Sequence, residues 1–363
     1  KRWARLYGVL EMTRKSKRAT EDGDEDGFTG NRRYQNQAKE QPGISPAIVN
    51  RLLDTTVFLS LKDLGLALPH YAEEVVTLTM TDEQGGQYRS MAKKLRDLAI
   101  KNRRYLSTWL QWTLARPNSA FRDEVVEVDE VNQKGEVIRR KELMELPAVV
   151  DDETMPKESW LVDFCRAERQ QGRKVLIYLR QTGTRDIQDR ILKILRDGGV
   201  RAEVLSSGVN PRKREEWIAR RVIGLDALVV NPKLVATGLD LIAFSSVVFL
   251  EIEYSLYVLW QSLRRVWRLG QTKPVKAIFS VYNDTMESRA LALIGAKMKA
   301  AQLLDGDNVG GAIVPEEDGD ILMKLAREAL DSADLPDLQS LFADEVVVSN
   351  SPMGCPTAPS APL

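Results

Sequence analysis

Apolar residues recur along this chain with two rhythms. Glu73 to Met80 alternates like a half-buried strand. From Asp82 the spacing lengthens to three and four, through Tyr88, Met91, Leu95 and Leu98, which predicts a helix. Tyr105, Trp109, Trp112 and Leu114 continue a helical face that Pro117 is expected to stop. Val125–Val131 and Glu136–Arg139 flank Lys134-Gly135 and predict a hairpin. After a helix over Lys157–Gln171, strand-sized apolar runs alternate with helices. The runs are Val175–Leu179, Ala202–Leu205, Ala227–Val230, Val247–Glu251 and Ala277–Val281. The helices between and after them are Ile187–Arg196, Pro211–Arg221, about Leu256–Trp267, and Thr285 to about Leu303. Continuous apolar strands joined by helices predict a parallel sheet covered on both faces, hence an α/β lobe. Residues 13–46, charged and dotted with glycine, read as a loop or disordered insert.

Composition narrows the function more by what is scarce than by what is common. The 363 residues hold one histidine and two cysteines. His70 follows Pro69 and reads as a turn residue rather than a catalytic base. Cys165 and Cys355 lie far apart, so no metal site is expected, and a cytoplasmic, reducing setting is. No apolar run reaches the length of a membrane span. The chain begins at Lys1, without methionine or a signal-like segment, and is expected to be part of a longer protein. Its 52 basic and 52 acidic residues cancel, but unevenly. Residues 1–20 are basic, 21–26 and 305–345 acidic, and 173–221 rich in arginine, so any nucleic-acid face must be local.

The densest chemistry lies in Trp260–Gln271, which reads Q-x-x-x-R-x-x-R-x-G-Q from Gln261. On a helix, Gln261, Arg265 and Arg268 would share one face. Two guanidinium groups there suit a polyphosphate whose charge grows in a transition state. A solvated amphipathic helix explains the same spacing if the segment is taken alone.

The surrounding segments give it context. Leu228–Asn231 with Val235–Leu241, Lys174–Leu179, and Leu205–Gly208 with Arg214-Glu215 occur in one order with Gln261–Gln271. Together they resemble motifs V, IV and VI, and the strand and turn between, of the C-terminal, second RecA-like motor lobe of Swi/Snf-type superfamily 2 helicases. Leu61–Asp63, Leu68-Pro69 and Gln87-Tyr88 are similar to the segment joining the two lobes of that family. The resemblance implies a RecA-like parallel sheet with helices on both faces, preceded by a mainly helical region. It implies arginine fingers at Arg265 and Arg268, with Gln261 positioning them. Gly238 and Asp240 would lie at the nucleotide. Thr237, Ser206, Ser207 and Gly208 would meet phosphates of a tracked strand, independently of base sequence. ATP and Mg2+ would be held mainly by the N-terminal motor lobe of the same parent chain. The partner is DNA, duplex or single-stranded; the motifs do not separate it from RNA, and no membrane is implied.

Two departures mark the chain as divergent and point to a bacterial or mobile-element branch. Glu251–Tyr257 replaces the family's Asp and Trp-Asn-Pro turn, and Asn231 stands where Ser or Thr is common. The sequence contains no G-x-x-x-x-G-K-[ST] phosphate cradle, so the chain alone is expected to be inactive as an ATPase. A non-catalytic nucleic-acid-binding or scaffold protein retaining a degenerate lobe is the alternative. A Rossmann-like enzyme such as a glycosyltransferase is disfavoured by the missing G-x-G-x-x-G. The expected divisions are 1–47 flexible, 48–156 linker and insertion, 157–303 the lobe, and 304–363 an acidic tail.

Overall fold

The computed structural model describes residues 8–16, 34–44, 68–131, 137–149, 154–235, 238–304 and 344–347. An N-terminal antiparallel pair, β1 (Gly8–Ser16) and β2 (Tyr34–Ile44), occupies part of the stretch expected to be irregular. The pairing is a backbone ladder, and the polar run Tyr34–Pro42 shows no apolar alternation that could announce it. Then β3 (Tyr71–Leu78) leads into α1 (Asp82–Lys101). Thr81 caps α1 by accepting from the Gln84 amide at 3.2 Å, and Asp82 and Glu83 complement its positive end.

A short 3-10 turn, Arg103–Tyr105, precedes α2 (Leu106–Ser119). Contrary to expectation, Pro117 lies inside α2 rather than ending it. Proline cannot donate to the carbonyl of Thr113. The Tyr88 hydroxyl does so instead, at 3.3 Å, and the Pro117 carbonyl accepts from Gln84 Nε2 at 2.9 Å. The hairpin appears as β4 (Glu124–Val131) against β5 (Val137–Leu146), with Lys134-Gly135 outside the described residues.

The lobe proper runs α3 (Pro156–Gln170), β6 (Val175–Tyr178), α4 (Gln188–Asp197), β7 (Ala202–Leu205) and α5 (Arg214–Arg221). It continues with β8 (Ala227–Val230), α6 (Pro232–Val235), β9 (Ser246–Phe249) and α7 (Leu256–Leu263). After these come β10 (Val275–Tyr282), α8 (Met286–Leu304) and β11 (Asp344–Val347). Six parallel strands, in the order β3-β10-β9-β6-β8-β7, make a RecA-like sheet, and β11 adds a seventh beside β3. The sheet thus recruits Tyr71–Leu78, which lies ahead of the boundary drawn from the sequence.

Successive strand residues point to opposite faces, so each buried strand feeds two cores. Leu176, Tyr178, Leu228, Val247, Phe249 and Phe279 pack on one side with α1, α2, α7 and α8. Ile177, Val229, Val248 and Ile278 pack on the other with α3 and α4. Phe249 stacks on Phe279 with ring centroids 5.0 Å apart, and Tyr178 meets Phe249 at 4.9 Å. Full burial of such side chains stabilises the sheet by about 1.5–3 kcal/mol each. Strand order reverses direction around β6. No helix among the described residues is long and apolar enough to cross a membrane.

Candidate nucleotide and nucleic-acid site

The arginine-bearing segment is shorter in helix than its periodicity predicts. α7 ends at Leu263, so Gln261 lies on the helix while Arg265 and Arg268 lie in the turn after it. The shared helical face expected for the three residues is therefore not formed. The cause is local. The Arg265 and Val266 amides bond back only three residues, to Ser262 and Leu263, and the Arg265 carbonyl accepts from the Leu241 amide at 3.1 Å. That last bond joins this turn to the Gly238–Leu241 turn after α6.

Gln271 reinforces the junction from below. Its buried Nε2 donates to the carbonyls of Ile242 (3.0 Å), Phe244 (2.9 Å) and Val266 (3.2 Å). Its Oε1 accepts from the Thr272 and Lys273 amides, both at 3.0 Å. Gly270 reaches this geometry at φ +95° and Gly238 turns at φ +75°, both in the left-handed region that favours glycine. The sequence places Gln271 at the end of the arginine motif without a role. The signal available was a polar residue directly after a turn glycine, ahead of a buried strand.

Around the arginines, polarity is graded. Gln261, Arg264, Arg265 and Arg268 are half-buried, while Gly238 and Asp240 are exposed. Asp240 Oδ1 accepts from the Ile242 amide at 3.2 Å, which fixes its carboxylate at the rim of the turn. The Tyr178 hydroxyl, at the end of β6, donates to the Ser262 carbonyl at 3.2 Å. Burial raises its pKa, while that bond and the Arg265 charge work against the rise. Burial alone lowers the pKa of the Arg264 guanidinium.

The turn after β7 stands apart. Ser206, Ser207 and Gly208 are exposed, and the Val209 amide bonds to the Ser206 carbonyl at 3.2 Å. Arg214 links it to the rest, donating to the carbonyls of Val209 (3.2 Å) and Leu234 (3.1 Å). Thr237 lies outside the described residues. Asn231 is buried structure: it donates to the Arg180 carbonyl (2.8 Å) and Thr182 Oγ1 (3.3 Å) and accepts from the Lys233 amide (2.9 Å).

The divergent Glu251–Tyr257 segment is mostly core, with all but its last two residues buried. Glu251 Oε2 accepts from the Gln181 amide at 2.8 Å. Burial pushes its carboxyl up to about 7, with the Glu287 charge adding to the rise and the Gln181 bond, Lys157 and Arg180 opposing it. Arg180 lies 4.8 Å from the centroid of the Tyr254 ring.

The site therefore offers half-buried guanidinium groups joined to an exposed glycine turn and, apart from them, exposed serine hydroxyls. Such donors fit phosphate oxygens; they do not fit a divalent cation.

The family model of the helicase conserved C-terminal domain matches residues 156–270, the span from α3 through both joined turns. Over 152 residues the chain is 25% identical to the ATP-dependent helicase rhp16 of Schizosaccharomyces pombe. That match covers 41% of this chain and 16% of the relative. Among solved structures, the C-terminal part of the Fun30 ATPase domain is similar at TM-score 0.48 and 12% identity. The similarity spans 73% of this chain and 99% of that one. Over residues 156–270 the chain is thus similar to helicase C-terminal domains, and its match to an ATP-dependent helicase spans a small part of that relative.

Proposed function

We propose that this lobe is the second half of a Swi/Snf-type, ATP-driven DNA motor. The observation that carries the reading is the join between the two turns, Leu241 amide to Arg265 carbonyl with Gln271 beneath both. It fastens the turn that follows Gly238 to the turn that bears Arg265 and Arg268. In this reading Arg265 and Arg268 meet the γ-phosphoryl group of ATP as negative charge spreads over its oxygens, and Gln261 positions them. A guanidinium suits that task because its fork is planar and stays charged. Gly238 and Asp240 lie at the nucleotide, Asp240 towards the ribose hydroxyls. Thr237, Ser206, Ser207 and Gly208 hold phosphates of the strand through hydroxyls and backbone N–H groups, blind to base identity. Mg2+ and the phosphate cradle belong to the N-terminal motor lobe, so this chain alone turns over no ATP.

The test uses the longer protein that supplies that lobe. Arg265→Ala and Arg268→Ala are expected to lower DNA-stimulated turnover by about 10³-fold or more while nucleotide affinity changes far less. Arg268→Lys should recover little. Exposed Arg166, on the opposite side of the sheet, is the control. Arg264 does not serve, because it is half-buried where α7 ends. If the two finger variants lose no more turnover than Arg166→Ala, the lobe is a scaffold and the motor reading fails.

A further inference from the structure

A cavity of about 670 Å³ opens between α2, the β4–β5 hairpin and the loop after β6. None of its residues belongs to the turns described above. Arg104, Arg140 and Arg185 line it from three separate segments, with the hydroxyls of Ser107, Thr108 and Thr184 among them. Two carboxylates are also present, and both are engaged. Glu124 accepts from Arg116, Ser119 and Arg122, and Glu127 lies 3.9 Å from Arg140.

Arg185 is the distinctive group. Its guanidinium carbon sits 4.3 Å from the centroid of the buried Trp112 ring. Burial lowers its pKa, against the attraction of Glu124. Among the described residues it meets this ring face and no hydrogen-bond acceptor. A guanidinium held over an aromatic ring, with no acceptor of its own, keeps its N–H donors for a ligand. Such a fork is set to take two oxygens of one phosphate.

We infer that this cavity binds the phosphodiester backbone of a nucleic-acid strand, with Arg185 as the central contact. The hydroxyl and amide groups of Ser107, Thr108 and Gln111 can donate to the same oxygens. An acidic peptide would meet the same arginines, and polyglutamate is the probe that separates it from a nucleic-acid strand. The loop bearing Arg185 leaves the sheet at the same edge as the Ser206–Gly208 turn, and the inference rests on the nucleic-acid reading of that edge.

The experiment measures fluorescence anisotropy of labelled single-stranded and duplex DNA with the full chain, in low and moderate salt. Arg185→Ala is expected to weaken binding about tenfold irrespective of sequence, and Arg185→Lys to fall between. Arg166→Ala should bind like the unaltered chain. Circular dichroism checks that each variant folds. A bromouracil-substituted strand should crosslink to α2 or to residues 184–185. Unaltered affinity in both Arg185 variants, with crosslinks confined to residues 206–208, overturns the cavity and leaves the motor reading standing. No binding of any nucleic acid by the unaltered chain at low salt overturns both. Binding of polyglutamate in place of DNA overturns the assignment in favour of an acidic protein partner.

Discussion

Two polar regions of this molecule are held together by opposite means. Where α2, α3 and α8 converge, charge itself is the fastening. Lys157 Nζ, in an ion pair whose side chains are each 2% exposed, reaches Glu287 Oε2 at 3.0 Å. It also donates to Asn118 Oδ1 (3.0 Å) and the Leu250 carbonyl (3.2 Å), while Asn118 donates to Glu287 at 2.6 Å. Nearby, the buried Arg116 meets Gln87, Glu124 and four backbone carbonyls. At the joined turns, the fastening is neutral: one backbone bond and the amide of Gln271. The difference teaches that Arg116 is structure, whereas the proposed function gives Arg265 and Arg268 a chemical task. Charge removed from the first region should cost stability; charge removed from the second should cost turnover.

The sharpest way to break this contrast is Lys157→Ala. It strands Glu287 in the interior and should destabilise the fold by about 3–5 kcal/mol in equilibrium urea unfolding. Pairing Lys157→Met with Glu287→Leu should recover most of that loss. A single variant costing under about 1 kcal/mol would mean that the network fastens nothing.

Gln271→Ala should cost less, about 1–3 kcal/mol, by leaving the Ile242, Phe244 and Val266 carbonyls without its amide. Its specific mark is hydrogen exchange accelerated more at the Leu241 amide than at amides of the sheet. Unchanged exchange there, with stability lowered uniformly, would show that the two turns are not coupled through this side chain.

The smallest effect is a pH dependence centred on Glu251. Its carboxyl titrates near 7 when folded, against an ordinary value of 4.5. A folded pKa raised above the unfolded one gives stability that is complete below about 4.5 and fades as pH rises through about 7. Unfolding free energy should therefore fall by on the order of 1–2 kcal/mol from pH 5 to 7.5, and Glu251→Gln should flatten that slope. An identical slope in the variant would assign the titration to another group.

Much of the lobe was legible because its strands are buried on both faces. Ala202–Leu205 and Ala227–Val230 coincide with β7 and β8, since a continuous apolar run has few other places to go. The ends of elements were less legible, and for tertiary reasons. α2 continues through Pro117 because the Tyr88 hydroxyl, 25 residues upstream, serves the orphaned Thr113 carbonyl. α7 stops early because the Arg265 carbonyl is taken by a distant amide. The candidate arginines were identifiable from their spacing, but their placement was not. Helical periodicity describes side-chain directions only while the helix lasts. Gln271 stands in the motif without a role, and Arg185 is one of an arginine-rich stretch, because their meaning lies in neighbours remote in sequence.

The strand β3 carries a mechanical consequence. It runs parallel to β10 over eight paired positions, Tyr71 with Val275 through Leu78 with Tyr282. At its start the Trp267 indole donates to the Pro69 carbonyl at 2.9 Å, and its ring lies 5.0 Å from that of Tyr71. Tension applied at Pro69 along the strand loads the ladder in shear, all its bonds together, instead of peeling them singly. Pro69–Leu78 is a strap rather than a hinge, and a pull on it is delivered to the turn that bears Arg265 and Arg268.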